Sequence, residues 1–481
     1  MPEPAAAQGN DVSSCFASVA VVALLAVARA NGAPPTEERP LSLRAAIAEA
    51  LDRSPDLRPA GDRLAVAQIQ ERLAASRFGL KVTPSFQNSA EPFGSQRSVG
   101  VGISKRLPFG TQLSATVDSM QYGTGPLQIR DGGVGFAITQ PLLQTFGPAL
   151  KAETVDARRG MVSSERAVGA ARQQIVLSVA DAYFAVIRDQ RFVDAGERTL
   201  ERATKLHAAS EARTKIGLAT QLDVLRADLF ASQAEADLDA RRETLANALD
   251  RLKLLVGRAP DAPLDVDPAT PLDDPFSADS IATQPADTLV TLALASRIEI
   301  RETRDRVADA RRHAEIARWN LLPPMDLHVG YARRGLGSPA GEAFNQLLDG
   351  WRVGVSTTYA MDRSPERAVA ESAQVSVRAA EQAVVDVERQ VAAEIHAAHR
   401  GYQRSAQAIA IQSKALGLAE KQRRLAELRY EHGVADNFGV VDAESNLAQA
   451  RAALIAAEIG RLLAGLTLKR AIGALDPERL R

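Results

Sequence analysis

The sequence predicts a mainly α fold of long antiparallel coiled-coil helices carrying a smaller β portion, with the whole arrangement written twice along 481 residues. Three observations carry this. The stretch from Arg213 to Gly257 recurs as Arg429 to Gly473, each copy holding an Arg, a Gly four residues on, a helical run and a closing Gly. Two segments, from about Gln144 to Arg213 and from about Glu366 to Tyr430, lack a strong helix breaker. Ahead of each, the apolar period changes from 3.6 to 2.

The repeat is readable residue by residue. Laid together without gaps, RTKIGLATQLDVLRADLFASQAEA and RYEHGVADNFGVVDAESNLAQARA share Arg213/Arg429, Gly217/Gly433, Ala219/Ala435, Val224/Val440, Ala227/Ala443, Gln233/Gln449, Ala234/Ala450 and Ala236/Ala452. Duplication of one supersecondary unit explains them, with a first repeat over residues 41–257 and a second over 287–475.

In chain order, residues 16–28 (FASVAVVALLAVA) are an uncharged apolar run too short for a membrane span, followed by small residues at Ala28 and Ala30. Residues 1–30 therefore read as an export signal, although the leading segment carries Glu3 and Asp11 and no Lys or Arg. The apolar run follows Cys15, which argues against a lipoprotein leader. Nowhere else are there the roughly twenty apolar residues a membrane helix needs, so a bilayer could be entered only by strands closed into a barrel.

Residues 41–78 are helical, with Ala45, Ala48, Leu51, Leu64, Ala67 and Leu73 mostly at three- and four-residue spacings, and residues 287–320 repeat them, Asp305-Arg306 answering Asp62-Arg63. Both run into proline, at Pro84 and at Pro323-Pro324, where a helix must stop. Alternation follows, in strand regions of about 82–140 and 325–360. SVGVGIS, TQLSATV, GVGFAIT, MDLHVGY and WRVGVSTTY place apolar side chains on one face and small or polar ones on the other. Such strands suit a barrel with an apolar outside and a wet inside, and equally a soluble sheet with one buried face.

The uninterrupted segments come next. Val168, Ile175, Val179, Ala182 and Val186 trace a narrow stripe, as do Val391, Ile395 and Ala398. Such a stripe marks a helix packed lengthwise on others, and at 1.5 Å per residue each segment would be roughly 100 Å long. Gly217 and Gly433 turn the chain back, with Thr220 and Asp436 as N-caps of the returning helices and Asp223 completing a capping box. Each return helix, roughly 60 Å, together with one of the roughly 50 Å helices before the strands, matches the reach of a long one. The segment 258–286, rich in Pro and Asp, breaks helix and ladder alike and reads as a surface band near the middle of the columns.

This order resembles the TolC-like outer-membrane efflux proteins. The residues that carry the resemblance are RTKIGLATQLDVLRAD and RYEHGVADNFGVVDAE, VADAYFAVIRDQ before the first turn, and the closing LKLLVG and LKRAIG, spread over residues 41–475. It implies a homotrimer whose strands close one β-barrel in the outer membrane and whose twelve helical columns form an α-barrel tunnel across the periplasm. The few strands of one chain call for an oligomer in any case, since closed membrane barrels start at about eight.

The same resemblance implies a passive exit duct of a tripartite efflux or type I secretion system, working with a periplasmic adaptor and an inner-membrane pump. The adaptor would dock on Ile216, Gly217, Leu218, Ala219, Thr220 and on Gly433, Val434, Ala435, Asp436. The closing network would have Tyr430 reaching toward Asp223 on the neighbouring pair, and Asp442 would ring the constriction. Two departures stand out: Gly439 and Ala435 occupy positions where relatives can carry a carboxylate and an Arg, and the first half has alternating segments beyond a single hairpin. The alternative is a periplasmic or secreted coiled-coil scaffold without a pore.

Composition bounds the rest. A net charge of −1 gives no basic surface for nucleic acid, and a single Cys excludes a disulfide framework or a Cys-based zinc site. An aromatic content of 4% suits packed helices better than a globular enzyme. His396 and His399 have a metal-compatible spacing, but EIHAAHR lacks the companion Glu of H-E-x-x-H and any third ligand nearby. No phosphate loop, dinucleotide fingerprint or nucleophile elbow occurs, so neither an enzyme nor a cofactor is expected.

Overall fold

The computed structural model describes residues 40–91, 94–124, 127–143, 149–267, 279–337 and 347–475. The export signal expected over 1–30, and Cys15 with it, lie outside the described residues.

Two helices dominate: α3, Ala149–Lys215, of 67 residues, and α8, Ser364–Glu431, of 68 residues. Each spans roughly 100 Å. Helix α4 (Gln221–Val256) packs back along α3, and α9 (Phe438–Ala471) along α8. The other half of each long helix is covered by a shorter one, α3 by α2 (Arg58–Ser76) and α8 by α7 (Ile298–Trp319). Helices α3 and α9 then join the two sets side by side. Among the described residues no helix is long and apolar enough to cross a membrane.

The helices expected over 41–78 and 287–320 are each interrupted. Helix α1 (Leu43–Arg53) stops at Ser54, a one-turn 3₁₀ segment follows, and α2 begins at Arg58. Helix α6 (Ala286–Ser296), which follows the four-residue α5 (Asp279–Ala282), stops at an extended Arg297 before α7. The breaks are made by packing. Gly257, at φ 82°, closes α4 against the end of α1, where a Cβ would stand 2.8 Å from the Arg53 carbonyl oxygen. Gly473, at φ 73°, closes α9 against the end of α6, where a Cβ would stand 2.8 Å from Ser296 Oγ. Glu49–Arg258 (2.7 Å) and Arg297–Glu394 (2.6 Å) brace these joints.

The largest buried cluster lies at this level, around Ile47, Tyr183, Ile187, Leu252, Val256 and Leu466, and a second surrounds Ile300, Val391, Ile395, Tyr402 and Leu468. The described part of the Pro/Asp-rich segment crosses here: the Leu41 amide donates to the Asp265 carbonyl (2.8 Å) and Gln190 Nε2 to that of Val266 (2.9 Å).

The β portion is one antiparallel sheet in the order β1 (Leu80–Glu91), β2 (Gly94–Arg106), β3 (Gln112–Thr124), β4 (Leu127–Pro141), β5 (Met325–Gly337), β6 (Leu347–Thr357). The first half supplies two hairpins and the second one. Strands β4 and β5, far apart in sequence, pair through Ile138↔Val329 and Phe136↔Tyr331, which makes the sheet continuous.

Candidate functional site: the sheet faces and the helix turns

Register sorts the sheet into two chemically distinct faces. Val82, Val101, Val117, Val134 and Val353 share one with Ile103, Phe136, Ile138 and Trp351. The other carries Thr83, Ser85, Ser98, Thr116, Asp118, His328, Arg334, Arg352 and Ser356. The polar face is concave, enclosing a hollow of about 1020 Å³ lined by residues such as Ser114, Thr116, His328, Arg334 and Arg352. His328 is held across it, Nδ1 3.2 Å from Thr139 Oγ1 and Nε2 2.8 Å from Ser356 Oγ.

The apolar face is convex and left open: Phe86 is 69% exposed, Trp351 76% and Val353 69%. A soluble sheet buries its apolar face, whereas a membrane barrel turns it outward. On β2 the outward apolar run Ile103, Val101, Val99 is bracketed by outward Lys105 and Arg97, about 26 Å apart at 3.3 Å per residue, close to the height of a barrel's lipid-facing band.

At the far end, the two helix turns are built differently. The first is the expected one: Gly217 at φ 77° leads to Thr220, whose hydroxyl accepts from the Asp223 amide while Asp223 Oδ2 accepts from the Thr220 amide (2.9 Å) and hydroxyl (2.8 Å). Burial works to raise the Asp223 carboxyl, but these bonds and the Arg226 charge outweigh it and hold the group below the ordinary carboxylate range. In the second turn Gly433 has φ 69°, yet the expected Asp436 cap is absent. Helix α9 starts one residue later, after Asn437, whose backbone is already helical and whose side chain cannot fold back onto the turn. Asp436 instead pairs with Arg226 (3.1 Å).

Asn437 stitches the turns together. It is fully buried, and its Nδ2 donates to the Asp223 carbonyl (2.6 Å) and toward Ser210 Oγ (3.4 Å). Tyr430, expected to reach toward Asp223 on the neighbouring pair, meets Ser210 Oγ at 3.0 Å within the chain. Arg213 lies over the Tyr430 ring at 4.5 Å and donates to the carbonyls of Tyr430 (2.5 Å) and Glu431 (2.6 Å), neutralising the negative end of α8. Asp223 and Tyr430 are both buried; Asp442 is exposed on α9, accepting from Asn446 Nδ2 (3.2 Å).

Of the nine tip residues, all but Ala219 are exposed, and Ile216 (69%), Leu218 (70%) and Val434 (71%) stand out as apolar. Ser210, Arg226 and Asn437 were not singled out from sequence, and only Arg213 left a signal there, as the first identity of the repeat. His396 faces Asp287 at 3.9 Å while His399 is buried beside Gln403, so the two do not converge. Among the described residues no three His, Cys, Asp or Glu side chains gather as a metal site would need.

A family model, Outer membrane efflux protein, matches residues 46–258 and 289–474. The chain belongs to the outer membrane efflux protein family. Its place is the outer membrane, extending into the periplasm, and the open convex face of the sheet has its explanation there. The probable efflux pump outer membrane protein TtgC of Pseudomonas putida is 24% identical over 441 residues, covering 90% of this chain and 83% of that one. The outer membrane protein TolC of Vibrio cholerae is 25% identical over 317 residues, 64% of this chain and 70% of that one. Among solved structures, CusC superposes with a TM-score of 0.72 at 20% identity, covering 92% and 96% of the two chains. VceC of Vibrio cholerae gives 0.69 at 22%, covering 90% and 96%. Members of this family are channels, and an outer-membrane place disagrees with the periplasmic or secreted location the scaffold alternative assumed.

Proposed function

We propose that three copies of this chain form a passive exit duct for a tripartite efflux or type I secretion system. The observation that carries it is the set of apolar surfaces one copy leaves uncovered. Besides the convex sheet face, Leu222, Leu225 and Leu229 lie exposed on α4, and Ile411, Leu418 and Leu425, spaced by heptads, lie exposed on α8. Helices α4 and α8 form the two outer edges of the side-by-side set, so these seams match the wall of a ring in which α8 of one copy meets α4 of the next. The two halves repeat the same element order, which supports duplication as the origin of the four columns.

In this reading the helix turns face the inner membrane. Ile216 to Thr220 and Gly433 to Asp436 offer an apolar docking edge to a periplasmic adaptor, which joins the duct to an inner-membrane pump. Asp442, three times around one axis, is the constriction carboxylate, while Asp223 and Tyr430 act from behind it by fixing the turns. Such a ring favours cations and binds multivalent ones as blockers. Relatives named for toluene and antibiotic efflux support an efflux role for this chain too. The test is reconstitution of the purified full chain: native mass should give three copies, and planar bilayers should show single-channel conductance. A water-soluble monomer without pore activity would reject the duct.

A further inference from the structure

The sheet departs from one hairpin per half, and that departure fixes the size of the exit. Resting on the trimeric reading above, we infer that three chains close a barrel of eighteen strands, the β6 edge of each copy pairing with the β1 edge of the next, and that this barrel is a wide vestibule. The argument begins with the edges. Strands β1 and β6 terminate the sheet, with 12 and 11 residues whose outer backbone groups are unpaired within the chain. In hydrocarbon each unpaired group costs several kcal/mol, so an open edge cannot stay there.

Direction and pattern decide the occupant. With six strands alternating in direction, β6 runs opposite to β1, so a second copy arrives antiparallel, as closed membrane barrels require. An odd number would have forced a parallel seam. Both edges present the same alternation: Val82 and Phe86 outward on β1 meet Trp351, Val353 and Val355 outward on β6, and Thr83 and Ser85 inward meet Arg352 and Gly354. Each edge therefore fits a second copy of this chain, face for face.

The width follows from geometry. Strands about 4.8 Å apart, tilted by about 40°, close at a backbone diameter of about 36 Å for eighteen strands and about 24 Å for the twelve that one hairpin per half would give. Side chains take about 5 Å from each radius, half the sheet-packing distance, leaving free radii of about 13 Å and 7 Å. Six glycines, Gly100, Gly102, Gly133, Gly135, Gly330 and Gly354, fall on the inward face and leave room beside the longer His328, Arg334 and Arg352. Selection by size is thereby confined to the helix turns.

The experiment uses the full trimer in two measurements. In a Cys15→Ser background, Thr83→Cys or Ser85→Cys is combined with Arg352→Cys or Gly354→Cys, a Gly whose Cβ would meet open space. Mild oxidation of at least one combination should give a covalently closed ring of three chains. Polyethylene glycol of about 10 Å hydrodynamic radius, added on the barrel side of single channels, should enter and lower the conductance. A disulfide confined within one chain, or exclusion of that polymer from channels of three-chain mass, overturns the eighteen-strand barrel and leaves the trimer standing. A mass other than three chains overturns the trimer itself.

Discussion

Replacing Asn437 by Ala should loosen the turns and raise the fraction of time the duct is open. Asn437 is a buried side chain that bonds across both turns, tying the start of α9 to the Asp223 carbonyl on α4 at 2.6 Å and to Ser210 on α3. Removing a buried donor of this kind costs about 1 to 2 kcal/mol, the lower end being favoured because Asn437 Oδ1 has no protein partner to lose. If opening draws the second turn away from the first, the closed form alone bears that cost. A shift of about 1 to 2 kcal/mol is roughly five- to thirty-fold in the closed-to-open ratio.

The assay is single-channel open probability of the reconstituted full chain, with thermal unfolding measured alongside. Asn437→Ala should raise open probability within that range, and Ser210→Ala with Tyr430→Phe, which removes both hydroxyls of the 3.0 Å pair, should add less because no lone buried partner is left behind. A lower melting temperature with unchanged open probability would show that Asn437 only pins the fold, and the gating argument would fail.

Four further outcomes are expected. Asp442→Ala should leave assembly intact and weaken block by multivalent cations, read in single-channel recordings. Val101→Arg, on the outward face, should cost about 2–4 kcal/mol and reduce insertion, whereas inward Thr116→Arg should be tolerated, both read as heat-resistant trimer in outer membranes. Gly257→Ala should lower the melting temperature more than Gly433→Ala, since both have positive φ but only the Gly257 Cβ would strike backbone, at 2.8 Å from the Arg53 carbonyl oxygen. The Asp223 carboxyl is held below its ordinary range, so its contribution is complete above the unfolded-state pKa and is lost as pH falls through the folded one. Protection against hydrogen exchange at the first turn, relative to the intrinsic rate at each pH, should therefore fall in acid, and Asp223→Asn should remove that pH dependence.

What the sequence revealed follows the range of the forces involved. The capping box of Thr220 and Asp223, the reversals at Gly217 and Gly433 and the in-and-out order of Val99, Val101 and Ile103 are decided within a few residues, and all were readable. The breaks at Ser54 and Arg297 were not, because the end of a distant helix imposes them; Pro55 hinted at the first and nothing local marked the second. The partner of Tyr430 was missed for the same reason. Asp223 Oδ2 already holds two bonds from Thr220, and Tyr430 meets the hydroxyl of Ser210 instead.

This competition also bears on how the turns work. A carboxylate spent on a cap keeps the first turn rigid whether or not the second is near, so the part free to change partners is the second turn, whose helix begins without a side-chain cap. Its ties to the first turn include Arg213 to the end of α8, Arg226 to Asp436, Tyr430 to Ser210, and Asn437 to Asp223 and Ser210. Of these, the Arg226–Asp436 ion pair lies at partly exposed positions, where water competes and it is worth little. The buried contacts of Asn437 and of the Ser210–Tyr430 pair should therefore hold the second turn more firmly than the exposed Arg226–Asp436 pair does, as the open probabilities above would show.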